Sequence, residues 1–269
     1  MPLTLVVDDG PVRIVTMAHS ERRNALSHAL ADELAAAIEG AGARQGRLRR
    51  PAGPCRALIL RAEPGSTTWS AGHDIDDLPT DGQDPLAWTS PVEHLVRAVR
   101  AAPFPVIAAV EGGAWGAACN LAFACDLIVA TRSATFAITP ARLGVPYHSD
   151  GVSQFLGAVP LNVAKEMFFT AQQVPADSPH LSGTVNILVE DTEALDDEAR
   201  ALAARIASLA PLSIRAIKAE INALTDARLL DSGSFERLTS LRRAAWTSRD
   251  YAEGLAAFRE RRTPEFLGE

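Results

Sequence analysis

The pattern of apolar and polar residues predicts secondary structure from the start of the chain. Two short runs rich in β-branched residues, Leu3–Val7 and Val12–Met17, flank Asp8-Asp9-Gly10, which is typical of a hairpin turn. The segment Ser27–Glu39 has helical spacing and begins on a serine, a residue favoured at the N-cap. The Gly-, Arg- and Pro-rich segment Gly40–Pro54 then predicts an exposed loop.

In the middle of the chain, apolar runs alternate with helical patterns. The runs predict strands over Ala57–Arg61, Val106–Val110, Asp126–Ala130, Thr135–Ile138 and Val185–Val189. One helical pattern covers Pro91–Arg100, and another follows the small-residue turn Gly112–Ala118 and ends at Ala124. The Asp-, Pro- and Gly-rich segment Thr80–Pro91 predicts a loop over the stretch that precedes it.

Beyond Pro146 the pattern is mostly helical. Apolar residues at helical spacing predict helices over Leu161–Thr170, Asp196–Leu209, Leu212–Leu224, Phe235–Trp246 and Arg249–Arg261. We therefore predict an α/β fold with a core domain of residues 1–200 and a C-terminal helical module of residues 201–269. We expect the module to pack on the core or on another subunit.

Composition narrows the class of protein. The 269 residues are 47% hydrophobic and 22% charged, as in soluble globular proteins, and the net charge of −7 argues against a nucleic-acid surface. No apolar run reaches the roughly 18–20 residues that span a bilayer, and the N-terminus lacks the basic and apolar regions of a signal peptide. We predict a cytoplasmic protein with neither nucleic acid nor membrane as a partner.

The chain also lacks the patterns of metal and nucleotide sites. Its three cysteines, Cys55, Cys119 and Cys125, form neither a disulfide framework nor a metal-ligand spacing, and its six histidines have no ligand spacing either. The glycines of Gly112–Gly116 do not match the dinucleotide fingerprint, and there is no P-loop. We predict no metal and no redox cofactor.

The stretch Trp69–Leu78 is the first candidate for chemistry. Gly72 lies where a chain leaving a strand turns sharply, and glycine makes such a turn at low cost. The acidic residues that follow predict a helix, whose first N–H groups favour an anion or a developing oxyanion. Taken alone, the stretch is equally an ordinary strand–turn–helix without chemistry.

Two motifs in order identify a family resemblance. Ser70-Ala71-Gly72-His73-Asp74 is followed by Gly112-x-x-x-Gly116-Ala117-Ala118 and Cys125-Asp126. This pair resembles the crotonase family, also called the enoyl-CoA hydratase/isomerase family, and Arg23–Leu26 and Arg262–Phe266 extend the resemblance to both ends. The resemblance implies a crotonase-like spiral of ββα units with a helical C-terminal trimerisation module. It also implies an acyl-CoA substrate, no separate cofactor, and a homotrimer or dimer of trimers.

Within that family, further segments resemble the branch of bacterial methylmalonyl-CoA decarboxylases. These segments fall both at the candidate site and far from it: His73–Ile75, Glu111–Gly116, Thr139-Pro140, Leu143–Tyr147, Phe235–Ala244 and Asp250–Gly254. The resemblance implies that the backbone N–H groups of His73 and Ala117 hold the thioester oxygen. The family usually has glycine at the position of Ala117, so the alanine is a departure.

The resemblance also implies the residues that bind coenzyme A (CoA) and the acyl group. Ala71, Asp74 and Ile75 would form the adenine and pantetheine pocket, and Arg22 or Arg23 would lie near the phosphates. Ala25, Gly72, Gly116 and Asn120 complete the predicted substrate-binding set. Thr263 stands at the position of a family lysine that contacts CoA, and Arg261 or Arg262 is the candidate substitute.

The two glutamates with which the family's hydratases add water match Asn120 and Ala141 here. Neither residue carries a carboxylate, and acid–base catalysis of this kind contributes about 10²–10⁴-fold. The sequence therefore argues against a hydratase, unless a carboxylate such as that of Asp150 arrives from elsewhere. Decarboxylation needs no base, and a carboxylate-free pocket would not repel an anionic substrate.

We therefore predict that the chain converts methylmalonyl-CoA to propionyl-CoA, with malonyl-CoA as a weaker substrate, and that Tyr147 and Thr139 orient the departing carboxylate. Several alternatives remain open. Tyr147 is otherwise a packing residue, Thr139 a turn hydroxyl, and the His73 side chain structural or CoA-facing. Another crotonase-fold enzyme, such as a thioester hydrolase or hydratase, and a non-catalytic acyl-CoA-binding protein are the rival functions.

Overall fold

The computed structural model describes residues 2–43, 55–226 and 231–268. Its larger sheet has six strands in the order β1-β2-β3-β5-β7-β10. Their bounds are Thr4–Asp9 (β1), Val12–Met17 (β2), Ala57–Ala62 (β3), Val106–Val110 (β5), Leu127–Thr131 (β7) and Ile187–Val189 (β10). β1 pairs antiparallel with β2, and all other pairs are parallel. The predicted hairpin is confirmed, with Gly10 in the left-handed region at its turn.

A second, smaller sheet contains three strands that lead into the turns of the candidate active site. Its strands, in the order β4-β6-β8-β9, are Thr68–Ser70 (β4), Gly113–Trp115 (β6), Thr135–Ala137 (β8) and Val174–Pro175 (β9). β4, β6 and β8 are parallel, and β9 pairs antiparallel with β8. The sequence pattern predicted only β8 among these, because strands of two or three residues are too short to show a period of two.

Helices cover both faces of the large sheet. The described helices are His28–Ala43 (α1), Pro91–Ala101 (α2), Ala117–Ala124 (α3), Ser149–Ala158 (α4), Leu161–Thr170 (α5), Thr192–Ala207 (α6), Pro211–Asp226 (α7), Ser232–Trp246 (α8) and Arg249–Glu260 (α9). α1 to α3 contribute to the main apolar core, whereas α6 packs on the opposite face of β3, β5 and β7. None of the described helices combines the length and hydropathy needed to cross a bilayer.

The prediction of a loop over Gly40–Pro54 was wrong at its start. Gly40 and Gly42 belong to α1. A Cβ on Gly42 would lie 3.2 Å from the ring of Pro103, so the small residue lets the helix pass close to that loop. Residues 44–54 lie outside the described residues.

Two of the contacts that fix the C-terminal helices to the core involve Lys218 and Gly254. The ammonium group of Lys218 on α7 is buried and donates to the carbonyls of Val99 and Phe104 and to the carboxylate of Asp126. Gly254 on α9 lies against the backbone of Leu143, where a Cβ would come within 2.5 Å of the carbonyl group. Residue 200, after which we predict the helical module to begin, lies inside α6.

Candidate active site

The site begins at the carboxyl ends of three neighbouring strands. β4 pairs in parallel with β6, and β6 pairs in parallel with β8. The turns that leave these strands therefore emerge side by side at one edge of the small sheet. They carry His73 after β4, Ala117 after β6 and Thr139 after β8. Ligands of parallel sheets commonly bind at such an edge.

Gly72 allows the first two turns to approach each other. Its φ is +89°, in the region that glycine tolerates and other residues avoid. A Cβ at this position would lie 2.3 Å from the carbonyl oxygen of Trp115 and 3.2 Å from the nitrogen of Ala117. Any side chain at residue 72 would thus push the two turns apart.

Gly116 makes the second close contact. Its φ is +55°, its N–H donates to the carbonyl of Ala137 at 2.8 Å, and a Cβ on it would lie 3.1 Å from Thr139 Oγ1. The hydroxyl of Thr139 therefore lies directly against the start of α3. The three turns meet at this point.

Two backbone N–H groups at this meeting point have no acceptor among the described residues. The backbone of Leu26 forms hydrogen bonds with the residues on both sides of His73. Its N–H donates to the carbonyl of Gly72 at 2.7 Å, and its carbonyl accepts from the N–H of Asp74 at 3.2 Å. The N–H of His73 between them is left unpaired among the described residues. Ala117 is the first residue of α3, where an N–H has no partner within the helix. Two donors without acceptors, held close together, are suited to one anionic oxygen.

The expected helix within Trp69–Leu78 was wrong. The chain makes only one 3-10 turn, Ile75–Asp77, capped by the Asp74 carboxylate, which accepts from the Asp76 N–H at 3.1 Å. Three residues carry little macrodipole, so the electrostatic benefit of a helix N-terminus belongs to Ala117 on α3 and not to His73.

The segment Arg23–Leu26 supports the first turn from behind. Asn24 is fully buried, and its amide donates to the carbonyl of Trp69 at 3.0 Å. Its own carbonyl accepts from the Ser70 hydroxyl at 2.6 Å. Arg23 and Asn24 both have positive φ, which asparagine tolerates better than most residues, so the segment makes a tight turn beside the site.

A cleft of about 600 Å³ opens in front of the three turns. Most of the predicted site residues line it: Arg22, Arg23, Ala25, Ala71, His73, Asp74, Ile75, Gly116, Ala117, Thr139 and Tyr147. Gly72 and Asn120 are both buried and do not line the cleft. The structure thus brings together residues that are up to 239 positions apart in the sequence, from Arg22 to Arg261.

Tyr147 supplies a hydroxyl in an aromatic setting. Its ring stacks on His148 with centroids 5.9 Å apart and meets Phe155 and Phe168 edge-on at 6.1 and 5.2 Å. Burial raises the pKa of Tyr147 well above its ordinary value, so the phenol keeps its proton. No described residue bonds this hydroxyl, which leaves it able to donate to a ligand.

Comparison with known proteins agrees with this geometry. The sequence model of the enoyl-CoA hydratase/isomerase family matches residues 9–269. Methylmalonyl-CoA decarboxylase of Escherichia coli (strain K12) is 38% identical over 263 residues, which are 98% of this chain and 97% of that protein. Human mitochondrial enoyl-CoA hydratase domain-containing protein 2 is 30% identical, over 97% of this chain and 87% of its own length. The solved structure of methylmalonyl-CoA decarboxylase in complex with 2-nitronate-propionyl-CoA has a TM-score of 0.92 and 37% identity, and the alignment covers 99% of each chain.

The chain belongs to the enoyl-CoA hydratase/isomerase family. The predicted family and α/β fold are confirmed. The resemblance matches the two glutamates of the family's hydratases to Asn120 and Ala141. Asn120 is buried on α3, and its side-chain oxygen has no partner among the described residues. Ala141 is exposed on the turn Pro140–Leu143. The binding role of Asn120 stays a prediction.

The expectation of a carboxylate-free pocket was wrong. Asp74, Asp76 and Glu93 all line the cleft, whereas Asp150 is exposed on α4 and does not. Glu93 is only 8% exposed and comes from α2, a helix outside both family motifs. One feature of the sequence pointed to Glu93: it lies three residues before Val96, so helical spacing places its charge on the buried face of α2.

The charges around the cleft mouth are partly paired. Arg22 binds the carboxylates of Asp74 and Asp76 at 3.1 and 2.8 Å. Arg259 and Arg261 on the end of α9 also line the cleft, and sequence reasoning missed Arg259. Arg262 instead binds Glu253 and lowers the pKa of that carboxyl to about 2. Arg261 is therefore the better candidate to replace the family lysine that contacts CoA at the position of Thr263.

The His73 ring serves packing more than proton transfer. Its Nδ1 lies 3.2 Å from the Asp74 carbonyl, and its Nε2 is buried without a partner among the described residues. Burial lowers the pKa of His73, so the ring is neutral at neutral pH. The arrangement agrees with a structural or CoA-facing side chain whose backbone N–H is the functional group.

The Gly72 contact predicts a specific loss of stability. Gly72→Ala combines positive-φ strain of about 1–2 kcal/mol with overpacking of about 1–3 kcal/mol against Trp115. Gly65→Ala is the matched control, because Gly65 has a φ of +79° but no atom within 4 Å of the added Cβ. Urea unfolding should show a larger loss for Gly72→Ala. Equal losses for the two variants would contradict the close approach.

Proposed function

We propose that this protein decarboxylates methylmalonyl-CoA to propionyl-CoA without a separate cofactor, and accepts malonyl-CoA as a weaker substrate. The observation that carries the proposal is the pair of unpaired N–H groups of His73 and Ala117, held together at the strand ends. The near full-length similarity to a methylmalonyl-CoA decarboxylase supports the choice of reaction.

In the proposed reaction, the thioester oxygen lies between these two N–H groups. The bond between Cα and the carboxylate breaks, CO₂ leaves, and the electron pair of that bond forms a thioester enolate. The negative charge of the enolate gathers on the oxygen that the two donors bind. In other enzymes the loss of one such donor costs roughly 3–4 kcal/mol of transition-state stabilisation.

Tyr147 and Thr139 are proposed to orient the carboxylate that leaves. Both residues line the cleft, and Thr139 Oγ1 lies 3.1 Å from the position that a Cβ on Gly116 would take. A carboxylate turned out of the plane of the thioester loses CO₂ readily, because the breaking bond then overlaps the carbonyl. These hydroxyls also discriminate an enzyme from a simple acyl-CoA-binding protein, which would not need them.

CoA is proposed to lie along the first turn, with Ala71, Asp74 and Ile75 around the adenine and pantetheine and Ala25 beside them. Arg22, Arg23, Arg259 and Arg261 would face its phosphates, since all four line the cleft. The related decarboxylase has been solved with a propionyl-CoA derivative, which supports a CoA thioester as ligand.

We also propose a cytoplasmic homotrimer or dimer of trimers, built through a C-terminal helical module that follows the core domain. One observation supports this assembly. α7 exposes four large apolar side chains: Leu212, Ile217, Ile221 and Leu224. Burying them against another subunit would remove apolar surface from water.

A second candidate function has one observation in its favour. Glu93 brings a carboxylate to the cleft although both family glutamates are absent, so a hydratase or thioester hydrolase with a displaced acid remains a rival. Incubation with methylmalonyl-CoA, malonyl-CoA and crotonyl-CoA, followed by mass spectrometry of the products, separates these functions. Decarboxylation predicts propionyl-CoA from the first substrate. Water addition to crotonyl-CoA, or free CoA, with no propionyl-CoA would favour the rival.

Tyr147→Phe should slow CO₂ release by about 10- to 100-fold, the equivalent of one hydrogen bond to a charged group at roughly 1.5–3 kcal/mol. The ring contacts with Phe155 and Phe168 remain, so the melting temperature should change little. Steady-state rates with methylmalonyl-CoA and a thermal melt measure the two effects. A variant with the wild-type rate would remove Tyr147 from the mechanism.

A further inference from the structure

Glu93, which lines the cleft, and His148 form a buried pair. Each is 8% exposed, and Glu93 Oε2 lies 2.9 Å from His148 Nε2. Glu93 comes from α2, and His148 is the residue immediately before α4. Neither residue belongs to the motifs that define the oxyanion turns. A buried carboxylate that lines a cleft requires a function or a compensating partner.

The backbone fixes the proton on His148. Its Nδ1 accepts a hydrogen bond from the N–H of Gly151 at 3.1 Å, which caps the start of α4. An accepting nitrogen carries no proton, so the ring proton lies on Nε2, the nitrogen that faces Glu93. Nε2 lies 2.9 Å from Oε2 of Glu93 without forming an aligned hydrogen bond with any described residue, and we treat His148 as a positioning residue that packs against this carboxylate. No described residue donates to Oε1, and Glu93 lines the cleft.

The pair lies close to the reacting groups. The His148 ring stacks on Tyr147 with an interplanar angle of 9°. Burial raises the pKa of Tyr147, and the charge of Glu93 adds to that rise, so this carboxylate lies within electrostatic reach of the Tyr147 side chain. Asp74 and Asp76, the other carboxylates that the described residues bring to the cleft, are bound to Arg22.

Resting on the proposed function, we propose that Glu93 delivers the proton that ends the reaction, to Cα of the thioester enolate. Loss of CO₂ leaves an electron pair in the enolate. That pair takes the proton from the carboxylic acid of Glu93, the new C–H bond forms at Cα, and the thioester carbonyl is restored. Water then returns a proton to the Glu93 carboxylate, so each turnover consumes one proton from solvent.

The substrate itself explains why Glu93 holds a proton at the right time. Methylmalonyl-CoA brings a second carboxylate into the cleft, and two neighbouring carboxylates cannot both remain ionised without a large electrostatic cost. Proton uptake by Glu93 removes that repulsion while the substrate keeps the negative charge that decarboxylation needs. The glutamate that would otherwise repel the substrate thus becomes its proton donor.

Stereochemistry in D₂O tests this assignment. Wild-type enzyme should convert methylmalonyl-CoA to one enantiomer of 2-deuteriopropionyl-CoA, because Glu93 protonates one face of the enolate. Glu93→Gln should give a mixture of enantiomers. It should also slow the exchange of the Cα protons of propionyl-CoA with D₂O by at least about 10-fold, with a smaller effect on CO₂ release, because acid–base groups contribute about 10²–10⁴-fold. Chiral NMR analysis measures the product, and mass spectrometry measures the exchange.

Glu166→Gln is the matched control, since Glu166 pairs with His180 at 3.6 Å on the half-exposed surface of α5, away from the cleft. It should leave enantiomer ratio and exchange unchanged. His148→Asn is the second variant, because asparagine still caps α4 but is too short to pack against Glu93, and it should lower the exchange rate as well. If Glu93→Gln does not fold, this variant decides the question.

A racemic wild-type product would overturn the inference, as would a single enantiomer with undiminished exchange in the Glu93 variant. The exchange arm uses propionyl-CoA alone, so it reports on Glu93 even if methylmalonyl-CoA is not a substrate. Absence of CO₂ release from methylmalonyl-CoA with wild-type enzyme would instead refute the proposed function. The two failures are therefore distinguishable.

Discussion

The close approach of two turns is the constraint on which the rest of the site depends. The parallel pairing of β4 and β6 sets where the turns emerge, and the missing side chain of Gly72 lets them meet. The contact leaves the N–H groups of His73 and Ala117 near each other without acceptors. Preorganised donors of this kind need no rearrangement when charge develops on a ligand, which is the source of their effect in catalysis.

The surrounding structure holds this contact from two sides. On one side, the side-chain amide of Asn24 donates a hydrogen bond to the carbonyl of Trp69 on β4. On the other side, α9 closes over the loops that frame the cleft: Gly254 abuts Leu143, and the Tyr251 hydroxyl donates to the carbonyl of Pro79 at 2.7 Å. Helix α9 also brings Arg259 and Arg261 to the cleft. The segments of sequence similarity outside the site thus have a structural task, which is to fix the loops around it.

The family, the fold class and about half of the lining residues could be predicted from the sequence, because motifs and long periodic segments carry local information. The position of Glu93 in the cleft could not, since it depends on how α2 packs against α1 and α3. β4, β6 and β9 were missed because their pairing is decided by neighbours and not by their own two or three residues. The acidic residues after His73 suggested a helix, but Asp74 caps only a single 3-10 turn there.

The most direct test of the account is a crystal structure with propionyl-CoA bound. The account predicts that the thioester oxygen lies about 2.7–3.1 Å from both the His73 nitrogen and the Ala117 nitrogen, the range typical of an oxyanion hole. A thioester oxygen bound by a side chain, or lying beyond hydrogen-bond distance of either nitrogen, would contradict it.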